Sequence, residues 1–562
     1  MQKKQILLVP VAAALLASCS GKLGALSADN FTVTPNPLET QAGQVPATIS
    51  GMFPEKYMKK KAVVTVVPEL RYQTTQGQQA VQGESATFQG EKVQGNDQTI
   101  SYRLGGRYSM KTAFDYVPEM QQSDLYLTFD ARIGSKTVKV PAVKVATGVL
   151  ATSELYRRTL TQAKPAQAQD AFQRVSEQRQ EANIRFLIGQ AQLRKSELQN
   201  NSVQEFVRLL GEIVKDQEGK VLDGIEVSAY ASPDGGYQVN ERLAGKRQDV
   251  TAAYVQQQMK RQKAEGNVET KYTAEDWDGF QQLVAASDIQ DKDVILRVLS
   301  MYKDPEEREQ QIRSISSAFR ELADGILPQL RRARITINYQ LIGRDDDQIK
   351  QQLTTDATQL SVEEMLYGAT LYDDDAARME EVYKQTTQVY PSDARAYNNV
   401  AMMEYAKGNY AEARTWLDKA LSLNANMPEA NANLGLLALQ QGDMLAAENY
   451  IAKASEAHGL AEVLGNLHLA QGRYAQAEQD FEKVFSNSAA LAQIMNKNYS
   501  QAAVTLKYVD NPDATTDYLR AVLNARTGNT TEAAEALRSA VAKDSKLATY
   551  AAKDIELLKV AK

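Results

Sequence analysis

The segment Gly408-Asn409-Tyr410-Ala411-Glu412-Ala413 recurs along the C-terminal part of this 562-residue chain. Copies with glycine first and alanine sixth are Gly442-Asp443-Met444-Leu445-Ala446-Ala447, Gly472-Arg473-Tyr474-Ala475-Gln476-Ala477 and Gly528-Asn529-Thr530-Thr531-Glu532-Ala533, and Lys497-Asn498-Tyr499-Ser500-Gln501-Ala502 is a degraded copy. Successive copies begin 34, 30, 25 and 31 residues apart. This period predicts helical hairpins that stack on one another, because a single helix pair cannot bury its own apolar face.

Two further positions recur within these copies. The large apolar residues after the glycine motif are Leu417, Ile451, Phe481 and Leu537, and the small residues that follow are Ala420, Ala454 and Ala540. The pattern resembles the tetratricopeptide repeat (TPR). The resemblance implies an all-α TPR superhelix over residues 355–562, in which residues 361–391 form the first repeat.

The resemblance also implies a concave face, lined by the first helix of each repeat, that binds partner proteins. Residues expected on this face are Arg395, Asn398, Met402, Tyr405 and Asn431. The functional interpretation is a groove for an extended peptide or a helix. The alternative is a rigid strut whose side chains are simply solvated.

The N-terminus carries the only cysteine of the chain, Cys19, in the run Leu16-Ala17-Ser18-Cys19. Lys3 and Lys4 precede an apolar stretch that is too short to span a bilayer, since spanning takes about 20 residues. This arrangement resembles a bacterial lipoprotein signal over residues 1–18. The resemblance implies cleavage before Cys19 and its diacylation, and two acyl chains anchor a protein stably to a membrane. The alternative is a buried thiol.

The residues after the cysteine bear on the destination of the protein. In the lipoproteins it resembles, an aspartate at this point favours the inner membrane, whereas Ser20 and Gly21 stand here. Some Gram-negative groups mark surface-exported lipoproteins with an acidic run after the cysteine. This chain has Lys22 and Leu23 there instead. The expected location is therefore the outer membrane, with the lipid-anchored chain facing the periplasm.

Residues 19–152 alternate short β-branched and aromatic runs with Gly, Pro, Asn and Asp clusters. This spacing predicts an antiparallel all-β sandwich. Residues 153–181 are rich in Gln and Ala, which are good helix formers, and contain Pro165, so we predict a linker helix there.

Residues 182–343 alternate strand and helix patterns and predict an α/β domain with four strands. Asn240, Leu243 and Arg247 fit the helix motif of the OmpA-like, peptidoglycan-associating domain, and Arg331-Arg332-Ala333-Arg334-Ile335 is similar to its closing strand. This resemblance implies an OmpA-like fold with a helical insertion at residues 276–328.

In the OmpA-like family an aspartate in the loop and the motif arginine bind diaminopimelate of the peptidoglycan stem. Arg247 occupies the arginine position, but Ser232 stands at the aspartate position and Asp234 lies two residues later. The resemblance thus implies a peptidoglycan-binding site of Ser232, Asp234, Asn240 and Arg247. The alternative is a reused scaffold in which Arg247 pairs with a local acid such as Asp249 or Glu241.

The composition and motifs of the chain limit the classes of function that we expect. The net charge of −6 gives no general attraction to nucleic acid. His458 and His468 are the only histidines, and no phosphate-binding, serine-hydrolase or zinc-protease motif occurs. We therefore expect a multidomain, non-enzymatic adaptor without cofactor or metal, which binds proteins of an envelope assembly or secretion complex. The alternative function is a peptidoglycan-binding tether between the outer membrane and the cell wall.

Overall fold

The structure is a computed structural model that describes residues 23–289, 291–314, 320–558 and 560. The expected signal at residues 1–18 and Cys19 lie outside the described residues. The chain divides into two compact units, one made of Met1–Asp170 with Tyr372–Lys562 and the other of Ala171–Leu371. Within the described ranges, no helix has the combined length and apolarity needed to cross a bilayer.

The described N-terminal residues form strands in two sheets. The strands are β1 Phe31–Thr34, β2 Leu38–Glu39, β3 Gln44–Phe53, β4 Ala62–Thr74, β5 Gly77–Gln82, β6 Ala86–Gly90, β7 Gln98–Ile100, β8 Gly106–Asp115, β9 Ser123–Ile133, β10 Lys136–Lys139 and β11 Val143–Leu150. One sheet has the order β1-β3-β8. The other has the order β2-β11-β9-β4-β6-β7, with β5 paired to β4 and β10 paired to β9.

Both sheets contribute to one apolar core. Buried and exposed residues alternate along β8, as expected for a strand with one face in the core. Ile49 and Phe53 from the smaller sheet and Val64 and Leu125 from the larger sheet belong to this core. The prediction of a β-rich N-terminal region is confirmed, and the two sheets share their core as in a sandwich.

The connection after β11 differs from the linker helix predicted over residues 153–181. Helix α1 covers only Tyr156–Leu160, and residues 163–173 have no regular structure. Pro165 prevents a helix from continuing, because it has no backbone N–H and disfavours a helical conformation in the residue before it. Strand β12 begins already at Val175 and extends to Arg185.

The second unit contains a four-stranded sheet with the order β12-β15-β13-β14. Its other strands are β13 Lys220–Tyr230, β14 Val268–Thr273 and β15 Arg332–Ile342, and its helices are α2 Lys195–Leu198, α3 Asn201–Lys215, α4 Tyr237–Gln262, α5 Trp277–Ala285, α6 Lys292–Met301, α7 Pro305–Ser314, α8 Leu327–Leu330, α9 Asp346–Thr355 and α10 Val362–Thr370. β13 pairs antiparallel with β15 and parallel with β14. Helices α3 and α4 share the core of this sheet. Helices α5, α6 and α7 lie within the predicted insertion, and α8 extends two residues past its predicted end at residue 328. Apolar residues of α5, α6 and α8 belong to a separate cluster.

The C-terminal part of the first unit is the helical array. Its helices are α11 Ala376–Val389, α12 Ala394–Ala406, α13 Tyr410–Leu423, α14 Pro428–Gln441, α15 Met444–Ile451, α16 Leu460–Ala470, α17 Tyr474–Asp480, α18 Asn487–Met495, α19 Tyr499–Lys507, α20 Ala514–Thr527, α21 Thr530–Lys543 and α22 Lys546–Ala551. The prediction of an all-α C-terminal region is confirmed. The unit boundary at Leu371 places α10 in the second unit and α11 in the first, and the start of the repeats at residue 355 stays a prediction.

The repeated positions have the packing roles that the sequence predicts. The sixth-position alanines of the glycine motif and the large residues Leu417, Ile451, Phe481 and Leu537 are buried. Gly435 and Gly465 lie against two of the large residues. A Cβ atom on Gly465 would lie 2.4 Å from Cζ of Phe481, and one on Gly435 would lie 2.5 Å from Cγ1 of Ile451. Glycine is therefore needed where the paired helices approach most closely.

Gly465→Ala is expected to destabilise the array by about 1–3 kcal/mol, because the added methyl group displaces the buried Phe481 ring. Gly245→Ala on α4 is the matched control, since apart from its chain neighbours and the backbone of its own helix no atom lies within 4 Å of its Cβ position. There the higher helix propensity of alanine should stabilise by roughly 0.5–1 kcal/mol. Calorimetric unfolding of both variants checks the prediction, and stabilisation by Gly465→Ala would contradict it.

Candidate functional site

The inner face of the array holds a segment of the same chain. We call residues 161–169 the strap. They follow α1 without forming a helix and run past α12, α14 and α16, with which they make side-chain and backbone contacts. The strap and the array belong to one compact unit.

Two asparagine side chains of the array bind the strap backbone. Asn433 accepts the N–H of Ala166 at 2.6 Å and donates to its carbonyl at 2.8 Å. Asn399 makes the same pair of bonds to Ala168, both at 2.9 Å. A carboxamide has one acceptor and two donor hydrogens, so it matches the N–H and C=O of one extended residue. The array thus recognises the backbone at two alternating residues.

The side chains of the strap divide into two groups. Ala166 and Ala168 are 1% and 3% exposed, and Ala163 is also buried. Between and beside them, the Lys164 ammonium pairs with Asp510 at 2.7 Å, and both side chains are exposed. The Gln167 side chain donates to the Tyr383 hydroxyl at 2.9 Å. Small residues therefore face the array, and polar residues alternate with them.

Helix α1 is more firmly attached than the strap that follows it. The Leu160 side chain belongs to the array core, and its carbonyl accepts from the Tyr405 hydroxyl at 3.1 Å. Thr159 and Ser488 share a buried hydrogen bond of 2.9 Å. Arg158 forms an ion pair with Asp544. Apolar burial, hydrogen bonds and charge all hold this helix.

The five residues predicted to line the groove have different positions. Asn398 donates to the Ala166 carbonyl at 3.0 Å, and Tyr405 contacts the α1 end as described. Arg395 pairs with Asp393 and has a long contact of 3.5 Å to the Gln169 carbonyl. Met402 is half-buried, and Asn431 donates to the Met427 carbonyl of its own helix at 2.8 Å. Three of the five thus face residues 160–169.

Sequence reasoning missed the residues that make the paired contacts, Asn399 and Asn433, as well as Tyr383. A usable signal was present. Asparagine is a poor residue for helix interiors because its side chain competes for backbone hydrogen bonds. Adjacent asparagines at 398 and 399, and a second pair at 431 and 433, therefore indicate a polar role inside the array.

A buried carboxyl lies beside the strap. Burial raises the pKa of Glu462 from its usual 4.5 to about 7, although hydrogen bonds from Asn466, Ser486 and the Lys164 backbone, and the charge of Lys164, oppose the shift. Because the folded-state pKa lies above the unfolded one, this carboxyl contributes stability that is complete below about pH 4.5. That contribution is lost as the pH rises through about 7.

Glu462→Gln should remove this pH dependence. Relative to the wild type, the variant is expected to gain stability between pH 5 and pH 8, by up to roughly 3 kcal/mol, since each pKa unit is worth about 1.4 kcal/mol. Glu412→Gln removes a carboxylate from an exposed position of α13 and serves as the control. Denaturant unfolding at both pH values measures the difference, and an equal effect of Glu462→Gln at pH 5 and pH 8 would rule the account out.

The residues predicted to bind peptidoglycan lie in the second unit. The Asp234 carboxylate forms an ion pair of 2.8 Å with Arg331 and accepts from the Ser232 hydroxyl. Arg331 also donates to the Ser232 hydroxyl oxygen at 3.2 Å. Asn240 is buried and donates to the carbonyls of Ser232 and Gly235 at 3.1 and 2.7 Å. These groups satisfy one another within the loop.

Arg247 makes its hydrogen bonds to backbone carbonyls through its guanidinium. Its side chain is 1% exposed, and its guanidinium donates to the carbonyls of Tyr230, Gln190 and Leu187 at 2.8, 3.0 and 3.4 Å. Burial, and to a lesser extent the charge of Arg331, lower the pKa of Arg247 from 12.5 to about 10, while the charge of Asp234 opposes this shift. Neither Asp249 nor Glu241 appears among its hydrogen-bond partners in the described part of the chain. Arg247 acts here as a clamp on backbone carbonyls.

The insertion covers the loop that carries Asp234. Trp277, Phe280, Glu309 and Leu327 surround it together with Pro233, and the remaining cavity of about 10 Å³ has room for about one water. Arg313 donates to the Asp234 carbonyl at 3.1 Å. A zwitterionic stem peptide would need both charges free and an open cleft.

Within the described residues, no group of three or more His, Cys, Asp or Glu residues is suited to a metal ion.

Comparison with protein families identifies the repeats of the array. A family model described as TPR repeat matches residues 401–442, and one described as tetratricopeptide repeat matches residues 462–548. The C-terminal region therefore carries TPR repeats, a class of fold that typically serves as a protein-binding scaffold without catalytic activity. Among curated proteins, no match to the chain was found.

Several solved structures match part of this chain. A TPR protein from Parabacteroides merdae is 14% identical, with 44% of this chain and 98% of that chain covered and a TM-score of 0.28. Pseudomonas aeruginosa pilF is 16% identical, with 38% and 99% covered and a TM-score of 0.27. Yeast Tom70 is 12% identical, with 58% and 75% covered and a TM-score of 0.24. Likeness at this level identifies neither a partner nor an activity.

Proposed function

We propose that the protein is a non-enzymatic adaptor of the bacterial envelope that binds partner proteins through its TPR array. The observation that carries the proposal is the inner face of the array, where Asn399 and Asn433 already hold an extended backbone segment. A surface that binds main-chain groups of an extended segment is suited to peptide recognition. The β-rich region and the second unit then serve as scaffold.

Photo-crosslinking in the native host tests this adaptor function on the full chain. Leu445 on the array and Leu104 in the β-rich region are matched sites, because both are leucines and are 69% and 67% exposed. A photoreactive amino acid at Leu445 is expected to give discrete protein adducts, and the same group at Leu104 is not. Absence of adducts at Leu445, at the exposed Tyr508 and at Met402 on the first-helix face of the array would refute the proposal.

The proposed location is the outer membrane, with the chain anchored through lipid on Cys19 and facing the periplasm. The support is the sequence alone, in which Leu16-Ala17-Ser18-Cys19 resembles a lipoprotein signal and Ser20-Gly21 follows. Mass spectrometry of the protein from its host should find a diacylated N-terminal cysteine, and Cys19→Ser should release the chain into the soluble fraction. An unmodified, uncleaved N-terminus would exclude the anchor.

The alternative function is a tether that binds peptidoglycan through an OmpA-like second unit. Its support is the resemblance around Asn240 and Arg247. The contacts of Asp234 with Arg331, and of Arg247 with backbone carbonyls, favour the adaptor, because they leave neither charge for a ligand. We expect the purified chain not to sediment with isolated sacculi. Sedimentation that is lost in Asp234→Asn would support the tether instead.

A further inference from the structure

The strap is bound to the array mainly through its backbone. Every extended segment presents an N–H and a C=O at alternate residues on one side, so the pairs made by Asn399 and Asn433 do not depend on the strap's own side chains. Selectivity comes from the space around Ala166 and Ala168, which are buried. A Cβ atom on Gly459 would lie only 3.6 Å from Cα of Ala166. The groove therefore accepts an extended segment with small side chains at two alternating positions.

The strap has little apolar attachment to the array. Its other polar contacts include hydrogen bonds of Gln162 with Asp513 and Asn487, of Gln167 with Tyr383, and of Asn398 with the Ala166 carbonyl. Its buried apolar groups are the methyl groups of Ala163, Ala166 and Ala168. The ion pair of Lys164 with Asp510 is exposed, and exposed pairs contribute little. Gln169 contacts His458 at 3.4 Å, also in an exposed position. By contrast α1 buries Leu160 in the array core, so the strap can leave the groove while α1 stays attached.

We infer that the strap is an exchangeable ligand of the TPR groove. When it opens, a partner's extended segment with Ala, Gly or Ser at the positions of Ala166 and Ala168 takes its place. This inference rests on the proposed adaptor function and specifies its ligand. The strap is joined to the chain at both ends, so its effective concentration is high and it weakens partner binding. Only molecules whose groove is open can bind a partner, so the apparent affinity equals the intrinsic affinity multiplied by the open fraction.

The strap itself supplies the probe for a test. A fluorescent peptide with the sequence of residues 160–170 is titrated into the full chain and into the double variant Ala166→Asp/Ala168→Asp, whose groove residues are unchanged. Two buried carboxylates should expel the strap, so the variant is expected to bind the peptide at least about tenfold more tightly than the wild type. A peptide carrying Ala166→Arg and Ala168→Arg is the control and should bind neither chain.

Equal binding to both chains, or no binding to a variant that keeps its helical content, would overturn the inference. A second measurement needs no variant. Excess strap peptide should accelerate thermolysin cleavage of the strap in the wild-type chain by several-fold, because it occupies the groove when the strap opens. No acceleration at millimolar peptide would overturn the inference even if the variant failed to fold.

The adaptor function and the exchange fail in different ways. If the photoreactive group at Leu445 captures a partner while the strap peptide never exchanges, the adaptor function stands and the partner binds outside the groove. If the peptide exchanges and no partner is captured, the groove is open to ligands but the adaptor function fails. If no partner is captured and the strap peptide does not exchange, both proposals fail.

Discussion

The double variant Asn399→Ala/Asn433→Ala is expected to release the strap from the array. The substitutions leave the N–H groups of Ala166 and Ala168, and one carbonyl, without their buried partners. An unsatisfied buried polar group costs about 1–3 kcal/mol, so the docked strap becomes less favourable than a solvated one. The loss is limited by the docking free energy, because a detached strap regains its hydrogen bonds from water. We expect a loss of roughly 3 kcal/mol or more.

Trp416 offers a local readout of this loss. It lies in the array and, with Trp277, is one of two tryptophans in the chain, so Trp277→Phe leaves fluorescence that reports on the array alone. Asn449→Ala is the control, since Asn449 is exposed on α15 and should change stability by less than about 0.5 kcal/mol. If the double variant unfolds at the same denaturant concentration as this control, the asparagine pairs do not hold the strap.

Arg247→Met is expected to destabilise the second unit by roughly 3–5 kcal/mol. The methionine fills most of the volume but leaves the carbonyls of Tyr230, Gln190 and Leu187 without their donor. A ligand-binding arginine would behave differently. It would be dispensable for folding, and its loss would abolish sedimentation with sacculi.

The neighbouring Lys246→Met provides the matched control, because Lys246 is exposed on the same helix. It should shift stability by no more than about 0.5 kcal/mol. Trp277 fluorescence in a Trp416→Phe background follows unfolding of the second unit. Arg247→Met with wild-type stability would mean that the carbonyl contacts are unimportant and that the arginine is available for another role.

The helices of the array could be predicted from the sequence because the residues that define each repeat lie close together along the chain. The glycine motif, the large residues such as Phe481 and the small ones such as Ala454 recur at short intervals, and each has one packing role. Gly465 shows how specific this information is, since only the absence of a side chain admits the Phe481 ring. Periodicity of this kind predicts both the helices and how they stack.

The conformation and the contacts of the strap could not be predicted from a local pattern of this kind. Ala168 and Asn399 are 231 residues apart, and Ala166 and Asn433 are 267 apart. A Gln- and Ala-rich run has good helix formers, so local propensity alone favoured a linker helix. The extended conformation is set instead by Pro165 and by asparagines whose distant partners the sequence does not reveal.

In the second unit the sequence identified the positions of the motif residues, but not the contacts that Asp234 and Arg247 make. The spacing of Asn240 and Arg247 identifies one face of α4. It does not reveal that Arg331 pairs with Asp234, because Arg331 follows the insertion and is distant from Asp234 in the sequence. Charge pairing across a fold depends on tertiary arrangement, which a motif in one helix does not contain.

Hydrogen exchange of the full chain tests the central claim, that the TPR groove is filled by the chain's own strap. The account predicts that the amides of Ala166 and Ala168 exchange at least about 100-fold more slowly than exposed amides. It also predicts that this protection disappears in Asn399→Ala/Asn433→Ala while α12 and α14 keep theirs. Exchange of both wild-type amides at the rate of an unstructured peptide would contradict it, because the groove would then be empty.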